Sequence, residues 1–131
     1  MEYMFHATGY KSTVFTLDLG DKFNTSKVTN MFDMFNRAGF SSPVFTLDLG
    51  SKFDTSKVTD MAYMFYQTGY ANNNFVLDLC LFTFDNVTTY TNMFYNFKTT
   101  QKIYVKNTSD QTWITSKGFS NVTSSNVLVK S

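Results

Sequence analysis

The chain has 131 residues, of which 43% are hydrophobic and 18% aromatic, and its formal net charge is +1. A chain of this length makes one domain, and its charge gives no electrostatic basis for binding nucleic acid or an anionic membrane surface. It has no apolar stretch that could span a membrane, no signal-peptide pattern at its start, and a single cysteine, which excludes an internal disulfide.

The first part of the chain consists of three copies of one 30-residue unit. The copies occupy residues 1–30, 31–60 and 61–90. A period of this size indicates a solenoid, in which stacked units contact mainly their neighbours. Such an array offers a partner a long, regular surface and has no obvious catalytic cleft.

The first predicted element of each unit is a β-strand. Apolar and polar residues alternate over 15–19, 45–49 and 75–79, which is the period of a strand with one buried face. We expect Phe15 and Leu17 to point inward and their polar neighbours to point outward. Successive strands should pair in parallel at about 4.8 Å.

The second predicted element is an amphipathic helix. Apolar residues recur at spacings of three and four, which places them on one helical face. One such set, which begins at the end of the first copy, is Val28, Met31, Met34, Phe35 and Ala38. The residue at Asp33, which differs between copies, is predicted to lie on the exposed face.

Both ends of this helix carry sequence signals. The candidate N-caps are Ser26, Ser56 and Asp85, with Asn24, Asp54 and Thr83 as alternatives two residues earlier. A glycine and then an aromatic residue follow the last helical position, at Gly9, Gly39 and Gly69. The aromatic residue is expected to contact a phenylalanine five residues earlier, as in a Schellman cap.

The pattern changes at both ends of the chain. Residues 1–97 are predicted to form three repeat units, and residues 98–131 a C-terminal cap with a strand at 103–105, a short helix capped by Asp110, and a last strand. Trp113 should close the core. The first unit begins at its helix, so we expect an excerpt of a longer array whose open N-terminal end stacks on another molecule.

The outward side of the sheet is the best-defined candidate site. Its predicted partner-binding residues are Thr16, Asp18, Thr46, Asp48, Val76, Asp78 and Tyr104. The three aspartates should form a ladder about 4.8 Å apart, which either contacts a cation or basic partner or is screened by water and by Lys22 and Lys52. No catalytic residue, metal-ligand set or cofactor is predicted, and His6 and Cys80 have no evident chemical partner.

A longer motif resembles a known family. Asp54–Phe65 matches the D-T-S-x-V-T-D-M-x-x-M-F repeat of BspA-type leucine-rich-repeat surface proteins of bacteria, and residues 24–35 match with asparagine at two of its aspartate positions. The resemblance implies a leucine-rich-repeat-like solenoid on the cell exterior. It also implies a role in adhesion or protein binding, with a host extracellular-matrix protein as the partner.

Three classes of function remain open at this point. The first is a protein-interaction module that binds through the sheet face, and the second is a rigid spacer of a surface protein with no ligand of its own. A carbohydrate- or cation-binding surface ranks below both. An enzyme is disfavoured because periodic carboxylates share one environment, whereas acid–base catalysis needs environments that separate their pKa values.

Overall fold

The computed structural model describes residues 1–130, so Ser131, the last residue of the predicted cap, lies outside the described residues. Within this range the chain forms parallel strands and one helix. In chain order they are β1 (Val14–Asp18), β2 (Val44–Asp48), β3 (Val76–Asp78), β4 (Lys102–Val105), α1 (Thr108–Thr115) and β5 (Val127–Val129). Strands β1 and β2 form one parallel sheet, and β3, β4 and β5 form a second.

The strand predictions are confirmed, because equivalent positions of successive units lie side by side. Phe15 pairs with Phe45, and Leu17 with Leu47, in strict parallel register. In β2 the residues alternate between exposed and buried, which places these apolar side chains in the core. The repeat period is therefore also the offset at which β1 and β2 pair.

Strands β2 and β3 belong to different sheets, although a continuous sheet was expected. In the second sheet, Lys102 donates its backbone N–H to the carbonyl of Phe75 (3.0 Å). The corresponding carbonyl of β2, on Phe45, instead accepts the side-chain amide of Asn72 (3.2 Å). A side-chain amide thus takes the place of the backbone donor that would join β3 to β2.

The predicted helix in each unit is wrong. Residues 31–40 form consecutive turns in which Met34 donates to the carbonyl of Met31 three residues earlier (3.3 Å). The N–H of Phe35 donates to Met64 of the following unit (2.9 Å). Alternate donors thus bond within the turn and across to the next unit, whereas an α-helix bonds every donor four residues back. We call this element the turn ladder; it covers residues 2–11, 31–41 and 61–71, and continues through 91–96.

The helical spacing nevertheless identified the buried side chains. Met31, Met34, Phe35 and Ala38 are all fully buried. The position predicted to be exposed is exposed at Asn92 but not at Asp33, which is only 5% exposed and has a left-handed backbone (φ 62°). Each copy of the turn ladder repeats such left-handed residues at four-residue intervals, as at Tyr3, Ala7, Asp33, Arg37, Tyr63, Gln67, Asn92 and Asn96.

Aromatic rings form columns that run through the units. Phe5, Phe35, Phe65 and Phe94 stack in sequence at centroid distances of 5.4, 5.6 and 5.8 Å. Further columns are Phe15–Phe45–Phe75, Phe23–Phe53–Phe82 and Tyr10–Phe40–Tyr70. The expected contact of a Schellman cap within each unit is thus replaced by stacking between units.

The predicted N-caps instead serve tight turns. Asn24 accepts the N–H of Ser26 (2.9 Å), and Asp54 accepts that of Ser56 (2.8 Å). The buried hydroxyl of Thr25 donates to the carbonyl of Asp54 (2.8 Å) and accepts the N–H of that same residue (2.6 Å). Thr55 repeats this arrangement one unit further on. Polar side chains in these loops therefore join neighbouring units.

The predicted C-terminal elements are present within residues 98–130. Ile103 is fully buried on β4, and α1 starts earlier than expected, with Asn107 as its N-cap accepting the N–H of Asp110 (2.9 Å). Trp113 stacks on Phe84 at 4.4 Å and packs against the core, as predicted. At the other end, the first unit is more open. There Met4 is 47% exposed, whereas its repeat equivalents are buried; stacking of this end on another molecule stays a prediction.

The glycine of the turn ladder gives a test of this packing. Gly39 has φ 61°, and a Cβ atom there would lie 2.3 Å from the ring of Phe45. Gly39→Ala should lower the free energy of unfolding by about 2–4 kcal/mol, from left-handed strain and overpacking together. Gly20→Ala is the control, since φ is 70° but a Cβ would meet nothing within 4 Å, so about 1 kcal/mol is expected. Equal losses in chemical denaturation would contradict the packing argument.

Candidate functional site

The predicted outward residues lie on the solvent side of their sheets. Thr16 pairs with Thr46, and Asp18 with Asp48, and all four are exposed. In the second sheet Asp78 pairs with Tyr104. We call the three aspartates of the predicted ladder, Asp18, Asp48 and Asp78, the aspartate row. We call this surface the sheet face; it comprises Thr16, Asp18, Thr46, Asp48, Val76, Asp78 and Tyr104. Its role in binding stays a prediction.

The sheet face is interrupted by a groove between the two sheets. The groove has a volume of about 430 Å³ and is lined by Thr46 and Asp48 from β2 and by Asp78, Cys80 and Leu81 from β3 and the loop after it. The expected regular ladder of three carboxylates is therefore split. One pair stands within the first sheet, and the third carboxylate lies across the groove.

Each aspartate of the row also has a structural role that the sequence analysis missed. One carboxylate oxygen accepts the backbone N–H two residues later, from Gly20 onto Asp18 (2.8 Å) and from Gly50 onto Asp48 (2.9 Å). This is an Asx turn, and the N–H of Cys80 makes the same bond to Asp78, which explains why an aspartate recurs at the ends of the first three strands. The D-x-G spacing after each of the first two strands is the sequence signal that predicts it.

The cation that contacts the row was also unexpected. Within residues 1–130, the structure pairs the row with Lys130 rather than with Lys22 or Lys52, and its Nζ lies 2.8 Å from Asp78. Partial burial of the Asp78 carboxyl opposes ionisation. The hydrogen bonds from Lys130 and from the N–H of Cys80 outweigh that burial and lower the pKa of Asp78.

Cys80 and His6 each have a neighbour that the sequence did not reveal. Burial, and then the nearby Asp78, raise the pKa of the Cys80 thiol to about 11, so it stays protonated near neutral pH. The ring of His6 is exposed, but its Nδ1 contacts the buried carboxylate of Asp33, which also accepts the amide of Asn36. His6 lies on the turn ladder, away from the sheet face.

Exposed valines are a further feature of the sheet face. Val14, Val44 and Val76 are 67%, 56% and 44% exposed, and the first two form a register pair at the start of their strands. The face therefore changes from apolar at the beginning of the strands, through threonine, to acidic at their ends. Extending the alternating pattern back by one residue would have identified Val14 and Val44.

Residues 1–130 contain no group of three histidine, cysteine or acidic side chains placed to hold a metal ion. Among the same residues, no helix is long and apolar enough to cross a membrane.

In the first sheet the strands pair at the repeat offset and expose a valine–threonine–aspartate face, which defines a repeat protein. The chain belongs to the family described as "Mycoplasma protein of unknown function, DUF285", which matches residues 1–130. Searches among curated proteins and solved structures found no match.

The Asp78–Lys130 pair can be tested by titration. Because the folded-state pKa of Asp78 is lowered, the pair contributes stability above the unfolded-state pKa near 3.8 and loses it as the pH falls through the folded-state value. Lys130→Gln should raise the pKa of Asp78 in carboxyl NMR titrations. It should also make the free energy of unfolding less sensitive to a fall in pH. Lys52→Gln is the control. An unchanged Asp78 pKa in Lys130→Gln would show that the pair does not form in solution.

Proposed function

We propose that this chain is a leucine-rich-repeat-like solenoid of the BspA type that acts as a protein-binding or adhesion module on a bacterial cell surface. The observation that carries the proposal is the sheet face, where Val14 and Val44 are more than half exposed beside Thr46 and Asp48. Exposed apolar side chains rimmed by polar ones are typical of interaction sites. Surface location and a host extracellular-matrix partner follow from the resemblance in the repeat motif.

The groove between the sheets suits a protein partner. It interrupts a flat surface at its centre, and Asp48 and Asp78 stand on its two sides. An apolar side chain seated there would be desolvated, while basic residues around it would meet the carboxylates. A central desolvated anchor with a polar rim is the usual arrangement of a protein–protein interface.

A rigid spacer without a ligand is the second candidate. It is favoured by the continuous stacking of Phe35, Phe65 and Phe94 and by the hydrogen bonds that cross every unit boundary of the turn ladder. These contacts would keep the array straight under load. The two candidates differ in whether the sheet face has a partner.

A panel of purified extracellular-matrix proteins tested by biolayer interferometry would separate the two. Thr46→Lys places a bulky cation at the centre of the sheet face and removes none of the hydrogen bonds of the fold. It should weaken binding at least tenfold, because a charge would be buried unpaired at the interface. Thr29→Lys, at an exposed position outside the sheet face, makes the same change and should have no effect.

Equal melting temperatures for the two variants would show that any loss of binding is local. If no matrix protein binds the unmodified chain, or if both lysine variants bind as well as it does, the sheet-face proposal is wrong and the spacer is favoured.

A further inference from the structure

A second cavity, of about 550 Å³, lies between the last copy of the turn ladder and the C-terminal cap. Its walls come from residues 90–96 and 117–121, and no residue of the sheet face lines it. Cavities of this size that combine aromatic walls with a few placed polar groups are typical sites for small ligands. A ligand bound in this cavity would therefore not contact a partner bound to the sheet face.

One side of this cavity is a rigid aromatic wall. Phe119 packs edge-on against Phe94 (5.2 Å) and Tyr90 (6.2 Å). Tyr95 is 45% exposed, and its ring is held by stacking on Tyr66 at 4.6 Å. These rings are fixed in place before a ligand arrives, so a flat apolar group can pack on them without ordering side chains.

Asparagine side chains provide the polar part of the lining. Asn92, Asn96 and Asn121 all have left-handed backbones, with φ of 52°, 63° and 63°. The amide of Asn121 donates to Phe97 (3.1 Å), whereas within residues 1–130 the side chains of Asn92 and Asn96 make no hydrogen bond to protein. An amide both donates and accepts, which matches a hydroxyl group.

A single cation completes the site. The Nζ of Lys117 lies 4.9 Å from the ring centroid of Trp113 and 5.1 Å from that of Tyr90. Within residues 1–130 the structure pairs this lysine with no carboxylate, and no acidic residue lines the cavity. The two rings hold the ammonium group at the cavity and leave its charge available to an anion.

We propose that this cavity binds an acidic saccharide. A sugar ring has one face of C–H groups, which would pack on Tyr95, and hydroxyl groups, which would bond to Asn92 and Asn96. A carboxylate or sulfate on the sugar would meet Lys117. One cation suits a single negative charge, whereas a phosphate-rich ligand such as a nucleic acid needs several basic residues.

The probes are a hyaluronan hexasaccharide, whose charges are carboxylates, a keratan sulfate hexasaccharide, whose charges are sulfates, and a neutral chitohexaose. In ¹⁵N NMR titrations of the full chain, at least one acidic hexasaccharide should shift the amides of residues 90–96 and 117–121. Comparing the two acidic probes distinguishes carboxylate from sulfate. Chitohexaose should bind at least tenfold more weakly, because it lacks the charge that Lys117 would contact.

Two variants test the residues of the site. Lys117→Met keeps a long apolar side chain on the rings but removes the charge, and should weaken the acidic saccharide about tenfold or more. Asn96→Gly keeps the left-handed backbone and removes only the amide, so it should weaken both acidic and neutral saccharides. Lys27→Met, at an exposed position elsewhere, is the control and should bind normally.

Three results would overturn the proposal. They are no shift at millimolar saccharide, shifts confined to other parts of the chain, or equal affinity in Lys117→Met and Lys27→Met. If Lys117→Met proves unstable by thermal melting, Asn96→Gly decides, because it changes no charge and no aromatic contact.

Discussion

Hydrogen bonds between units are the constraint on which the rest of this structure depends. Along the turn ladder alternate N–H groups point out of their own unit. Those of Phe35 and Phe65 are satisfied by a carbonyl of the next unit, and that of Gly39 by a carbonyl of the preceding one. Buried backbone donors without partners are costly, so one unit cannot form its turns alone. Left-handed residues such as Asp33 and Arg37 are themselves among these donors, so the neighbour's carbonyls hold their backbone in place.

The hydrogen bonds between units also fix the positions of the side chains. Once Phe35 donates to Met64 across the boundary, the Phe35 and Phe65 rings must lie over one another, and the strands must pair in register. Each stacked pair contributes about 0.5–1.5 kcal/mol beyond its buried area, so the columns reinforce the offset that creates them. Glycine is required where this packing leaves no space for a Cβ atom, as at Gly39 against Phe45, and backbone strain is added to the cost of replacing it.

The sequence was informative where structure follows from local pattern. Alternation predicted the strands, and the three–four spacing found the buried side chains of the turn ladder, but it could not distinguish turns from a helix. That distinction depends on a carbonyl about thirty residues away, and Arg37 in a left-handed conformation carries no local signal for it. The contact of His6 with Asp33, the Lys130–Asp78 pair and the cap cavity are likewise non-local. The D-x-G turn, by contrast, was visible in the sequence.

The Asx turns change where specificity on the sheet face can come from. The aspartates that recur at the ends of the first three strands are needed to turn the chain, so their recurrence is not evidence of a shared ligand. What the fold leaves unconstrained is the outward position two residues before each of these aspartates, where Thr16 and Thr46 pair and Val76 follows across the groove. A partner that binds this face would find the same acidic edge on any array built from this repeat. Discrimination between arrays would therefore have to come from these outward residues, because they can change without cost to the turns, the columns or the bonds between units.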